Sequence, residues 1–293
     1  MYHLNDAFAS RRNMLPIIHD KHHPLAHGPR LFADTADIEA IQTLMEANLI
    51  QGVTTNPTLV KKSGAKGWEE MKARLKEILT LMRPYPVSLE LTSTEATLML
   101  EEARELAALG SNAVVKVPIG GFRDDPFCGL KIIRKLYETN IPINATLIFN
   151  TTQALYAAHA GATFVSPFVG RLTDYCLQHD DDSGPQGNAL FALNDEEKSI
   201  RAYNTPYVAQ DGDRYAIGVR LVHEIASIFA NFSIKTEIIA ASIRNPAQIT
   251  EAIGAGADIV TAPPHLLQEA LYHPLTDIGM KIFQEDARGF EKR

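Results

Sequence analysis

The feature that most constrains this chain is an alternation. From Arg30 almost to Arg293, short apolar runs bounded by turn residues alternate with longer stretches of helical periodicity. The runs predict eight strands, near residues 31–33, 52–55, 87–91, 113–117, 143–148, 163–167, 237–241 and 258–261. Helical patterns near 37–48, 68–82, 94–109, 129–139 and 151–160 lie between them, several opened by Asp, Ser or Thr at a capping position. Strand and helix repeated in this way bury the strands in a parallel sheet, because each helix returns the chain to start the next strand in the same direction. Eight such units predict an α/β fold closed as a (β/α)8 TIM barrel, with an open doubly wound sheet as the alternative.

The 293 residues divide into an arm, 1–29, and one barrel domain, 30–293, for which 45% hydrophobic content supplies a sizeable core. The arm mixes charges, prolines and histidines without a period. Pro24 interrupts its His19, His22, His23 and His27 and no cysteine accompanies them, so no metal is assigned. The stretch 173–215 exceeds an ordinary βα connection and carries Asp180, Asp181 and Asp182 followed by Gly184, Pro185 and Gly187. It is expected to be an insertion, either bordering the pocket or merely solvated. A terminal helix is expected near 274–290.

A net charge of −7, without any concentrated Lys/Arg stripe, argues against a nucleic-acid partner. No apolar run approaches the roughly 18 residues of a membrane span. Cys128 and Cys176 lie far apart in no metal-like spacing and, with an N-terminus lacking an apolar signal core, predict a cytoplasmic protein.

A barrel strand is buried on both faces, so polar residues near its C-terminal end need a reason. In AVVKVP, Lys116 ends an apolar run just before Pro118, Gly120 and Gly121. In VSLELT, Ser88, Glu90 and Thr92 share one face, and in INATLIF Asn144 and Thr146 oppose Ala145 and Leu147. Other strands end in Asp34, in Asn56, in Ser166, and in Ser242 with Arg244. Each residue alone has a plain alternative. Lys116 suits a lysine snorkelling to solvent, Asp34 with Thr35 and Asp37 suits a helix cap, and Asn56 before Pro57 suits a turn. Asn144 and Thr146 suit satisfied core polars, and Arg171 and Arg244 suit surface ion pairs. Their convergence on one mouth favours chemistry, since a lysine among apolar walls loses proton affinity and becomes a usable amine nucleophile.

The strings LFADTAD, GVTTNPTLV, VSLEL, AVVKVP, INATLIF, FVSPFVGRL and AASIRNP follow one another between residue 31 and about residue 246. In this order they resemble the transaldolase and fructose-6-phosphate aldolase family of Schiff-base barrels, nearer its transaldolase branch. The resemblance implies a transferase that moves a dihydroxyacetone unit between a ketose phosphate and an aldose phosphate. Lys116 would form an imine with the ketose C2 carbonyl, and Asp34 would move the C4 hydroxyl proton. Glu90 and Thr146 would position the water that shuttles protons. Asn56 and Asn144 would hold hydroxyls of the retained fragment with Ser166 nearby, and Arg171, Ser242 and Arg244 would hold the distal phosphate. The resemblance implies that the aldolase branch has glutamine where this chain has Glu90 and tends to carry tyrosine where it has Phe168, so both positions fall on the transferase side. A protonated imine is itself the electron sink, so no metal or organic cofactor is expected. Expected partners are anionic sugars and further copies of the same chain. An aldolase, or a transferase for a sulfo-sugar or longer sugar phosphate, remains the alternative, and a non-catalytic sugar-phosphate binder is the reading from another class.

Overall fold

The computed structural model describes residues 28–120, 125–178 and 217–290. Most of the expected arm, with its four histidines, and residues 179–215 of the expected insertion lie outside the described residues. Eight parallel strands close a barrel in chain order: β1 (Arg30–Asp34), β2 (Val53–Thr54), β3 (Val87–Glu90), β4 (Ala113–Pro118), β5 (Ile143–Ile148), β6 (Phe164–Pro167), β7 (Glu237–Ala240) and β8 (Ile259–Ala262). Closure is made by β1 against β8, paired from Arg30 opposite Ile259 to Ala33 opposite Ala262, which excludes the open doubly wound sheet.

Helices follow the strands: α1 (Ile38–Glu46), α2 (Pro57–Lys62), α3 (Gly67–Met82), α4 (Ala96–Ala107), α5 (Cys128–Glu138), α6 (Thr151–Ala160), α7 (Val169–Gln178), α8 (Ile217–Asn231), α9 (Ala247–Gly254) and α10 (Pro264–Glu269). Several of their N-termini use local carboxylates and amides. Asp37 caps α1 by accepting from the Glu39 and Ala40 amides, Glu95 caps α4, and Asn150 caps α6. The expected insertion therefore starts inside a helix, since Thr173 lies within α7, where its hydroxyl donates to the Val169 carbonyl.

Strand residues sort by parity into two separate apolar clusters. One parity, including Ala33, Val53, Leu89, Val115, Ala145, Val165, Ile238 and Val260, packs outward with the helices in the large core. The other places Phe32, Val114, Phe164, Ile239 and Ile259 in a small cluster inside the barrel. Gly52 makes room for it: a Cβ there would come within 2.5 Å of the Phe32 ring. One pleat earlier, Arg30 on β1 pairs with Glu237 on β7. One pleat later along the strands the same inward parity changes to Asp34, Thr54, Lys116, Ser166 and Thr261, so the polar layer is raised on an apolar floor.

A last helix, α11 (Pro274–Ala287), follows as expected, with a 3-10 turn at Arg288–Phe290. It has no buried residue, and Leu275, Ile278, Met280, Ile282 and Phe283 are all exposed. Among the described residues, no helix is long and apolar enough to cross a membrane.

Candidate active site

Lys116 sits on the inner face of β4 with only 4% of its surface exposed. Register sets its neighbours: Glu90 lies opposite on β3 and Asn144 opposite on β5. The ammonium nitrogen lies 2.9 Å from Glu90 Oε2 and donates to the Thr55 carbonyl at 3.3 Å. It stands 6.0 Å from the Phe168 ring centroid. A snorkelling lysine would be solvated, and this one is not. Burying one charge unpaired would be costly, and the adjacent carboxylate both offsets that cost and offers a base for the ammonium proton.

Asp34 ends β1, directly opposite Thr54 in the β1–β2 register. The Thr54 hydroxyl donates to Asp34 Oδ1 at 2.8 Å and lies 2.6 Å from the Thr261 hydroxyl. When Asp34 is ionised the Thr54 proton is committed to the carboxylate and Thr261 donates to Thr54, giving a chain from Thr261 to Thr54 to Asp34. Burial pushes the Asp34 carboxyl above its ordinary pKa, while the charge of Lys116, the Thr54 hydrogen bond and the charge of Arg244 act in the opposite sense. The helix cap, the plain alternative for Asp34, is supplied by Asp37. Asp34 is thus left with the chemistry of a carboxyl poised to exchange a proton.

The remaining polar residues divide between the mouth and the framework. Asn144 is fully buried, donating from Nδ2 to Ser88 Oγ at 3.1 Å and accepting from Ser166 Oγ at 2.7 Å. Thr146 is also fully buried, and its hydroxyl has no hydrogen-bond partner among the described residues. It stands beside a register shift in β5 between Ala145 and Ile148, where Leu147 adopts a φ of 59°. Asn56 caps α2 through its Oδ1, accepting from the Leu59 amide at 3.0 Å, while its amide nitrogen has no hydrogen-bond partner among the described residues. Thr92 departs from the expected pattern. β3 ends at Glu90, and Thr92 turns its amide and hydroxyl to Glu102 of α4, at 2.7 and 2.8 Å.

Two cations stand where β6 and β7 end. The Arg171 guanidinium lies 5.2 Å from the Phe168 centroid, and the Arg171 amide donates to Ser242 Oγ at 3.2 Å. Phe168 in turn meets Phe149 edge to face at 5.6 Å. Ser242 has a φ of 60°, a left-handed conformation that turns the chain after β7. Arg244 is exposed, and its Nε donates to Asp174 Oδ2 at 3.0 Å. The plain reading of Arg244 as an ion-pair partner is therefore realised, at the mouth rather than elsewhere on the surface. Thr54, Thr261 and Asp174 were not anticipated from sequence.

A parallel barrel with a buried lysine–carboxylate pair and a proton-biased carboxyl at the C-terminal ends of its strands has the layout of a barrel enzyme. Residues 31–292 match the family described as Transaldolase/Fructose-6-phosphate aldolase, and the chain belongs to that family. It is 42% identical over 259 residues to a "Probable transaldolase" of Thermoplasma volcanium, covering 88% of this chain and 94% of that protein. A "Probable transaldolase" of Aquifex aeolicus is 41% identical, with 88% and 95% covered. One of Syntrophobacter fumaroxidans is 38% identical, with 90% and 99% covered.

Proposed function

We propose that this enzyme is a transaldolase-type transferase that moves a dihydroxyacetone unit from a ketose phosphate to an aldose phosphate through an imine on Lys116. The observation that carries this reading is the buried contact of Lys116 with Glu90, at 2.9 Å, beside the proton-biased Asp34. Glu90 takes the ammonium proton, and the freed amine attacks the ketose C2 carbonyl. Loss of water from the carbinolamine, with protons passed through Glu90 and a water held at the Thr146 hydroxyl, leaves a protonated imine. Asp34 accepts the C4 hydroxyl proton as the C3–C4 bond breaks, and the bonding electrons move into the imine to form an enamine. The aldose product departs. An acceptor aldehyde is then attacked by enamine C3, Asp34 returns its proton to the new hydroxyl, and hydrolysis frees Lys116.

Asn56, Asn144 and Ser166 hold the hydroxyls of the retained fragment, and Arg171, Ser242 and Arg244 hold the distal anion with charge-assisted hydrogen bonds. Exposed Leu275, Ile278 and Phe283 on α11 favour association of the chain with further copies of itself. Borohydride reduction in the presence of fructose 6-phosphate tests the reading. It should fix a dihydroxyacetone-sized mass on Lys116, and irreversible labelling of another lysine, or none in an active preparation, rejects it.

A further inference from the structure

We propose that Asp174 is a positioning residue that aims Arg244 at the distal anion, an inference that rests on the transferase reading above. Three contacts fix Arg244. Its backbone amide donates to Gln248 Oε1 at 2.9 Å, its Nε donates to Asp174 Oδ2 at 3.0 Å, and Gly170 admits its stem. A Cβ at position 170 would come within 2.4 Å of Arg244 Cγ and 2.2 Å of the Ser242 carbonyl. The Gly170 backbone therefore lies directly against the arginine. With Nε occupied, the two Nη groups have no hydrogen-bond partner among the described residues and remain for a ligand, and their spacing matches two oxygens of a phosphate or sulfonate.

Stability is a poor explanation for the contact. Both side chains are 45% exposed, and ion pairs in that setting contribute little to folding. Orientation is a better one. An exposed arginine has many rotamers, and a carboxylate that holds Nε removes most of them before the anion arrives. Asp174 also belongs to the same helix, α7, as Arg171, and the Arg171 amide is tied to Ser242 two residues before Arg244. One helix thus supplies one cation and steers the other. The charge of Arg244 also acts on Asp34, which places the guanidinium within electrostatic reach of the reacting carboxyl.

The test compares Asp174→Ala, Asp174→Asn and Arg244→Ala with the parent enzyme, using fructose 6-phosphate and unphosphorylated fructose as donors and glyceraldehyde as acceptor. Asp174→Ala should raise KM for fructose 6-phosphate about tenfold, the scale of one charged hydrogen bond, with kcat within about twofold. Asp174→Asn keeps an oxygen acceptor for Nε and should stay within about twofold of the parent. KM for fructose should move in neither variant. If Arg244→Ala raises KM for fructose 6-phosphate while Asp174→Ala leaves it unchanged or lowers it, the positioning role is overturned and the transferase reading stands. Equal impairment by Asn and Ala also overturns it. Loss of fructose activity in parallel would show a folding role for Asp174 instead. Failure of borohydride labelling at Lys116 would strike the transferase reading itself, a result separable from all of these.

Discussion

Glu90 and Lys116 face each other in register across β3 and β4, with the carboxylate 2.9 Å from the ammonium and the two side chains 13% and 5% exposed. Each charge is compensated by the other rather than by water. Lys116→Met should therefore cost more than the imine proposed for this lysine. It strands a mostly buried carboxylate, an effect of roughly 3 kcal/mol in urea unfolding, at the low end for buried pairs because Glu90 keeps some exposure. Combining it with Glu90→Leu should recover most of the loss. A single variant as stable as the parent would show that the pair is not a compensated one.

Under the proposed mechanism, Glu90 and Phe168 bear on the fate of the enamine. The Phe168 ring, 6.0 Å from the Lys116 nitrogen, has no proton to give, whereas a tyrosine phenol there could hold a water and protonate the enamine. Transfer should exceed cleavage of fructose 6-phosphate by a wide margin in the parent enzyme. Phe168→Tyr, best combined with Glu90→Gln, should shift the ratio toward cleavage. Product analysis with and without an acceptor aldehyde measures it, and comparable rates in the parent would contradict the assignment.

Asp34 supplies a pH signature. Its carboxyl is held above its ordinary value of 3.8, chiefly by burial. The folded protein then binds this proton more tightly than the unfolded chain, so stability is greatest below the ordinary value and is lost as pH rises through the folded one. Asp34→Asn removes that loss while keeping an oxygen acceptor for Thr54. The variant should be inactive in transfer yet more stable than the parent at neutral pH, and its advantage should shrink on acidification toward about pH 4. Urea titrations across that range decide the matter. A difference that does not change with pH would speak against it.

Glu102 anchors the exit from β3. It is buried, accepting from the Thr92 amide and hydroxyl and from the Ser93 amide at 2.7, 2.8 and 2.9 Å. Glu102→Ala leaves those donors without their acceptor and should destabilise the fold by about 2 kcal/mol or more. Amide exchange at Thr92 and Ser93 should accelerate beyond that of the neighbouring α4 helix. Unchanged protection at both amides would remove Glu102 from this role.

The barrel was legible in the sequence because each strand combines an outward apolar parity with turn residues at its ends, and eight such runs leave few alternatives. Lys116, Asp34, Glu90 and Asn144 stood out for the complementary reason, since polar side chains within buried strands conflict with simple packing. Thr54 and Thr261 escaped because threonine is also an ordinary strand former. Only closure brings β8 and β2 to opposite sides of β1, which lets the two hydroxyls meet. Thr92 was assigned to the mouth because alternation carries no mark of where a strand leaves its sheet. Asp174 lies 70 residues from Arg244, and no local pattern announces such a pairing.

The plug of Phe32, Val114, Phe164, Ile239 and Ile259 fills the barrel beneath the polar layer, and under the transferase reading it makes the reaction chamber a blind alley. A chamber with one doorway imposes an order on its traffic. Under the transferase reading, the departing aldose and the incoming one compete for the same passage, so the first must clear it before the second can enter. The covalently held three-carbon fragment waits at the closed end meanwhile. Parallel lines in double-reciprocal plots, each sugar inhibiting when it crowds out the other, are then a consequence of the barrel's floor as much as of its chemistry.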